Sequence, residues 1–126
     1  MELDANKSIM RKIYFIIDFD STFVRLEALD KLAEIALEGN PQKEEILKKI
    51  KNITEKGMQG KLSFDKSLKQ RLCLFKADAN HIERLVKVLK KNITPSILRN
   101  REFFKKYKER IYIISGGFTD YIIPVF

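Results

Sequence analysis

"IIDFDSTFV", residues 16–24, ends an apolar run with two aspartates one residue apart. The run itself, "RKIYFIID" at 11–18, is short and rich in β-branched and aromatic residues, which predicts a strand covered on both faces. In extended chain, residues two apart point the same way, so Asp18 and Asp20 at the carboxyl end of such a strand share one small volume outside the sheet. That edge is where open α/β sheets bind ligands. Two neighbouring carboxylates repel unless a cation or a shared proton relieves them, and oxygen-only ligation there suits Mg²⁺. Turned toward a phosphate ester, one carboxylate can attack phosphorus while the other moves protons. Taken alone the motif has a second reading, an ordinary strand exit in which Ser21 or Thr22 caps the next element of the chain.

The rest of the composition narrows the chemistry. A chain of 126 residues, 44% hydrophobic and 33% charged, suits one compact domain. One cysteine, Cys73, excludes an intrachain disulfide, and with His81 as the one histidine it cannot build a Cys/His zinc site. The same scarcity argues against nucleophilic schemes with a histidine base. No apolar run approaches a membrane span, and "MELDANKSIM" is too polar for a secretory signal, so a cytoplasmic protein without a membrane partner is expected. The net charge of +8 invites a nucleic-acid reading. Most Lys and Arg, however, alternate with Glu and Asp at helical spacing, the pattern of solvated helix faces. In "RNREFFKKYKER" (99–110), Phe103, Phe104 and Tyr107 read as the buried side of a helix, and no specific nucleic acid is expected.

Beyond the first strand, Leu26, Leu29, Leu32, Ala33, Ala36 and Leu37 mark an amphipathic helix that Gly39 ends. Asn40-Pro41 opens a second, with Ile46, Ile50 and Ile53 inward. A third runs from Ser63 to Phe75 with Phe64, Leu68, Leu72 and Phe75 inward, and a fourth spans about 79–90. Thr94-Pro95 starts another before "RIYIIS" (110–115) returns to strand character and "GGFTDYIIPVF" turns into a helix. Cys73 reads as core. The two apolar runs look like parallel neighbours, yet one crossover helix would suffice to connect them. Most of the intervening helix is therefore an insertion packed at the mouth of the sheet.

"DFDST" after one hydrophobic strand and "SGGF" after a second resemble motifs one and two of the haloacid-dehalogenase superfamily of phosphohydrolases. Glu27, nine residues past Asp18, and "GMQGKLSFDKSLKQRL" (57–72), with Met58, Gly60, Phe64, Ser67 and Arg71, are similar in spacing to its phosphoserine phosphatase family. The resemblance implies that Asp18 is nucleophile and Mg²⁺ ligand, and that Asp20 is general acid and base, lending its backbone carbonyl to the metal. It implies that Ser115 and the Gly116 amide hold phosphate, that Glu27 meets the substrate ammonium and Arg71 its carboxylate, and that Met58 and Phe64 shield the substrate. Each has a plainer reading: "SGG" as a tight turn, Glu27 and Arg71 as solvated charges, Met58 and Phe64 as core of the insertion.

Nothing in the chain matches the lysine or the glycine-rich aspartate motif with which the family's core continues. The expectation is an α/β fold: a truncated Rossmann-type core of two parallel strands (1–24 and 95–126) with an inserted four-helix-type cap (25–94). The parent activity implied is Mg²⁺-dependent hydrolysis of O-phospho-L-serine or a similar phosphomonoester, in serine biosynthesis, with this chain inactive alone. Open sheet edges predict homo-oligomers or swapped dimers. The rivals are a phosphotransferase of the same superfamily and a non-catalytic metabolite- or partner-binding domain of a larger serine-biosynthetic protein.

Overall fold

A computed structural model describes residues 13–126, so residues 11 and 12 of the expected first strand lie outside the described residues. Strand β1 (Phe15–Asp18) pairs in parallel with β2 (Ile111–Ile114), Phe15 opposite Ile111 and Asp18 opposite Ile114. Between them run α1 (Ala28–Ala36), α2 (Lys43–Met58), α3 (Phe64–Leu72), α4 (Ala79–Lys91), α5 (Pro95–Arg99) and α6 (Arg101–Lys106), and α7 (Thr119–Val125) follows β2. This is the mixed α/β architecture with a two-stranded parallel sheet that the sequence predicts.

Alternation sorts the strands into two faces. Phe15, Ile17, Ile111 and Ile113 turn toward the protein, where Phe15 meets Phe103 edge-on at 5.0 Å between ring centres. On the other face Ile16 is 66% exposed, Tyr112 55% and Ile114 57%. The expectation of a strand covered on both faces is thus corrected: among the described residues, helices cover one face only.

Helices α1, α4 and α7 pack through one apolar cluster that includes Phe19, Leu29, Leu32, Leu85, Leu89, Tyr121 and Val125. The chain leaves the sheet and returns to it along two adjacent segments joined by an antiparallel bridge between Val24 and Ile93. The Arg25 N–H donates to the Asn92 carbonyl at 2.8 Å and the Thr94 N–H to the Phe23 carbonyl at 2.9 Å, while the Thr94 hydroxyl donates to the Thr22 carbonyl. Gly39 ends the turn after α1 at φ +79°, where a side chain would be strained. Asp78 caps α4 reciprocally with His81, each side chain accepting the other's backbone N–H at 3.0 Å.

Three local expectations fail. The inward face of α3 carries Ser67 and Arg71, whereas Phe64 and Leu72 are exposed, because this helix turns its polar stripe to a cleft and not to the core. Cys73, read as core, is exposed just past the end of that helix. The segment after Thr94 is two short helices broken at Asn100, and Phe103 stays partly exposed while packing on Phe15. No described helix is long and apolar enough to cross a membrane.

Candidate active site

In-register parallel pairing brings the two strand ends side by side, so the turns after Asp18 and after Ile114 open at the same edge of the sheet. Asp18 (φ −69°, ψ 144°) and Asp20 (φ −66°, ψ 133°) have extended backbone on either side of Phe19, where the chain begins to coil; Phe19 is buried at 0% exposure and both carboxylates line the space outside the core. The Asp18 Oδ2 accepts from the Thr22 hydroxyl at 3.3 Å. The Asp20 Oδ1 accepts from the N–H of Ala28, the first residue of α1, at 2.7 Å, so this carboxylate sits at the positive end of a helix. Its Oδ2 accepts from the Ser115 hydroxyl at 3.3 Å, and the Ser115 oxygen in turn accepts from the Gly117 N–H at 2.9 Å. Asp20 and Ser115, 95 positions apart in sequence, tie the two tips together.

Between the tips, Ser21 takes the left-handed region at φ +56°. Two bonds hold it there: its N–H donates to the Leu26 carbonyl at 3.1 Å and its hydroxyl to Glu27 Oε1 at 2.8 Å. Glu27 is consequently fixed as the residue that leads into α1.

A cleft of about 310 Å³ opens above these turns, lined by Asp18, Asp20, Glu27, Met58, Phe64, Arg71 and Gly116 of the residues the sequence singled out. Ser115 is turned away from the lining toward Asp20 and Gly117. Phe64 lies against Gly116 so closely that a β-carbon on that glycine would collide with the ring, and Gly117 is packed as tightly beneath Tyr121. Sequence reasoning did not single out Thr54, Gly57, Gly117 and Tyr121 as cleft residues, and treated Ser67 as a spacing match alone. Thr54 did leave a trace: it extends the Ile46–Ile50 stripe of α2 by one turn, and a hydroxyl on an otherwise apolar stripe marks a polar neighbour. Tyr121 left none, since a tyrosine on a helix facing the core looks like packing.

The cleft is short of positive charge. Burial pushes the Asp20 carboxyl above the usual aspartate range, and nearby Asp18 adds to this, against the opposing bonds from Ala28 and Ser115. Burial likewise raises Glu27, opposed by the Ser21 hydroxyl and reinforced by Asp20, Asp30 and Asp18. Arg71, the cationic side chain in the lining, cannot neutralise all of these carboxylates. Such a set favours a cation beside Asp18 and Asp20 or an ammonium beside Glu27. Among the described residues no three His, Cys, Asp or Glu side chains cluster as metal ligands. Two aspartates with hard oxygen donors still suit Mg²⁺, which typically takes one or two carboxylates and keeps several waters or phosphate oxygens.

Two parallel strand tips, one bearing paired aspartates and the other a serine–glycine turn, under a helical roof form the architecture of a haloacid-dehalogenase phosphatase. The chain is 39% identical over 111 residues to the phosphoserine phosphatase of Methanocaldococcus jannaschii, a match covering 86% of this chain and 47% of that protein. A crystal structure of a phosphoserine phosphohydrolase-like protein from Francisella tularensis superposes with a TM-score of 0.74 at 33% identity, covering 90% of this chain and 51% of the other. A substrate-bound phosphoserine phosphatase complex superposes at 0.65 with 30% identity, covering 90% and 50%. Over most of its length the chain is therefore similar, in sequence and in fold, to phosphoserine phosphatases and their haloacid-dehalogenase neighbours. It spans about half the length of the curated relatives it matches. No protein-family model matches the chain.

Proposed function

We propose that this chain supplies the nucleophile, the acid–base group and the head-group contacts of a Mg²⁺-dependent phosphomonoester hydrolase acting on O-phospho-L-serine. The observation that carries this is the shared cleft: Asp18, Asp20 and the Gly116–Gly117 turn lie at one end and Glu27 and Arg71 line the same space. An Asp18 oxygen attacks phosphorus, the phosphorus–serine oxygen bond breaks, and Asp20 gives its proton to the leaving oxygen. Water then attacks the aspartyl-phosphate, its proton passing to Asp20 and phosphate leaving, so the acid of the first step is the base of the second. A carboxyl with a raised pKa keeps its proton nearer to neutral pH than an ordinary aspartate, as the first step requires. The Gly116 amide offers a donor to phosphate oxygens and its missing β-carbon lets the backbone approach, while the Ser115 hydroxyl, bonded to Asp20 in this structure, joins it by turning from that carboxylate. Glu27 meets the ammonium and Arg71 the carboxylate, while Met58 and Phe64 at the rim restrict water. Mg²⁺, held by the Asp18 carboxylate and the Asp20 backbone carbonyl, supplies positive charge for the phosphate oxygens when bound.

The test is a titration of the 126-residue chain with O-phospho-L-serine and MgCl₂, monitored by backbone amide NMR shifts together with a phosphate-release assay. Saturable shifts at 18–21, at 115–117 and at Arg71 are expected, with phosphate release close to background from this chain alone. Absence of any saturable shift would sink the substrate reading, and rapid Mg²⁺-dependent release would show that the chain needs no further groups.

A further inference from the structure

The Arg71 guanidinium is gripped on its inner side by groups that belong to three helices. Its Nε donates to the Ser67 carbonyl one turn earlier on α3, at 3.3 Å. Its Nη1 donates to the Thr54 hydroxyl of α2 at 3.4 Å and lies 3.6 Å from Asp30 Oδ1 of α1. The Thr54 oxygen is 3.1 and 3.3 Å from the two Asp30 oxygens and 3.0 Å from the Ile50 carbonyl. A hydroxyl that accepts from Arg71 has one proton left to give, so the chain of bonds runs from the guanidinium through Thr54 to Asp30 or to Ile50. Thr54 and Arg71 are buried, and Gly57 lets α2 and α3 approach closely, since a β-carbon there would come within 3.0 Å of the Ser67 oxygen.

These contacts use Nε and one side of Nη1, and among the described residues Nη2 carries no hydrogen bond. Arginine is normally a long, freely rotating side chain whose ordering opposes binding. Here these contacts constrain the side chain before any ligand arrives, and the donors left over belong to the free end of the fork, in a residue that lines the cleft. A planar fork held in this way matches a carboxylate and has no comparable fit to a neutral group. Without Asp30 and Thr54 the guanidinium regains rotational freedom, and part of the binding free energy goes into fixing it again.

We propose that Asp30 and Thr54 are positioning residues that preset the Arg71 guanidinium and thereby set the preference of this cleft for phosphomonoesters bearing a carboxylate. The inference rests on the head-group assignment under Proposed function. It assigns Asp30 no contact with substrate.

The experiment compares the affinities of the 126-residue chain for O-phospho-L-serine and for O-phosphoethanolamine, which has the same phosphate and ammonium but lacks the carboxylate. Both are measured by titration calorimetry on the unchanged chain and on Asp30→Asn, Thr54→Val and Thr54→Ser, with each fold checked by circular dichroism. The unchanged chain is expected to prefer phosphoserine. Asp30→Asn and Thr54→Val each reduce that preference by about tenfold, mostly through weaker phosphoserine binding, while Thr54→Ser retains it because the hydroxyl is kept. Equal weakening of both ligands, or an unchanged ratio in folded variants, overturns the positioning role and leaves the head-group assignment intact. No preference in the unchanged chain overturns both. Thr54→Val is nearly isosteric and keeps the test decisive if Asp30→Asn fails to fold.

Discussion

The strand-tip half of the cleft and its helical half hold their side chains by different means. At the tips, Asp18, Asp20 and Ser115 are placed by extended backbone, one parallel ladder and short bonds to backbone N–H groups such as those of Ala28 and Gly117. In the helical half, Arg71 depends on Thr54 and Asp30, side chains 17 and 41 positions away in sequence and on other helices. Backbone placement is stiff and tolerates changes in its neighbours. Side-chain placement is adjustable and fails as a unit, because partly buried charges that lose their partners are left uncompensated.

Substitutions in each half should expose that difference. The largest effect is expected in the helical half: Arg71→Ala leaves the Asp30 carboxylate partly buried without its cation and should lower stability at neutral pH by about 3 kcal/mol. Burial already raises the Asp30 pKa above its unfolded value, and loss of the arginine would raise it further, so protonation relieves the orphaned charge. The deficit relative to the unchanged chain should therefore shrink as pH falls through that raised pKa. Urea unfolding at pH 7 and pH 5 reads this directly, and a deficit independent of pH would mean the pair is not electrostatically coupled.

At the tips the expected effect is steric and smaller. Gly117→Ala should cost about 2 kcal/mol, because the new β-carbon meets the Tyr121 hydroxyl and lies 2.9 Å from its Cζ, forcing a buried ring to shift. Combining it with Tyr121→Phe removes the nearer clash, and thermal melts of the double-mutant cycle should show part of the loss recovered. Strict additivity would place the strain elsewhere.

The smallest expected change is a gain. The Tyr121 hydroxyl is buried with no hydrogen-bond partner among the described residues, and burial pushes its pKa up to about 12, a shift that the Phe118 backbone opposes without reaching ordinary hydrogen-bond geometry. Tyr121→Phe alone should stabilise the chain by up to about 1 kcal/mol in chemical denaturation, since an unpaired polar atom leaves the interior. Lost stability would mean that the hydroxyl is satisfied, for example by water.

The tip half was largely legible in sequence. Strand composition, a two-residue alternation and glycines at a turn are local, and local order is what a linear pattern records. Reading α3 failed at Phe64 and Leu72 because periodicity finds a helix's apolar stripe without saying whether core or cleft lies opposite the other side. Asp30 and Thr54 stayed invisible as partners of Arg71, since nothing in spacing reveals which faces of separate helices meet.

By itself the sequence determined the strands, the helical insertion, the paired aspartates and the serine–glycine turn, because each is written in neighbouring residues and obeys backbone geometry. Tertiary structure alone decided that Asp20 bonds Ser115, that among the described residues helices cover one sheet face only, and that three helices converge on a single guanidinium. The physical reason is distance along the chain. Those contacts join segments tens of residues apart, and they exist only once the packing of the apolar cluster has fixed how the helices meet.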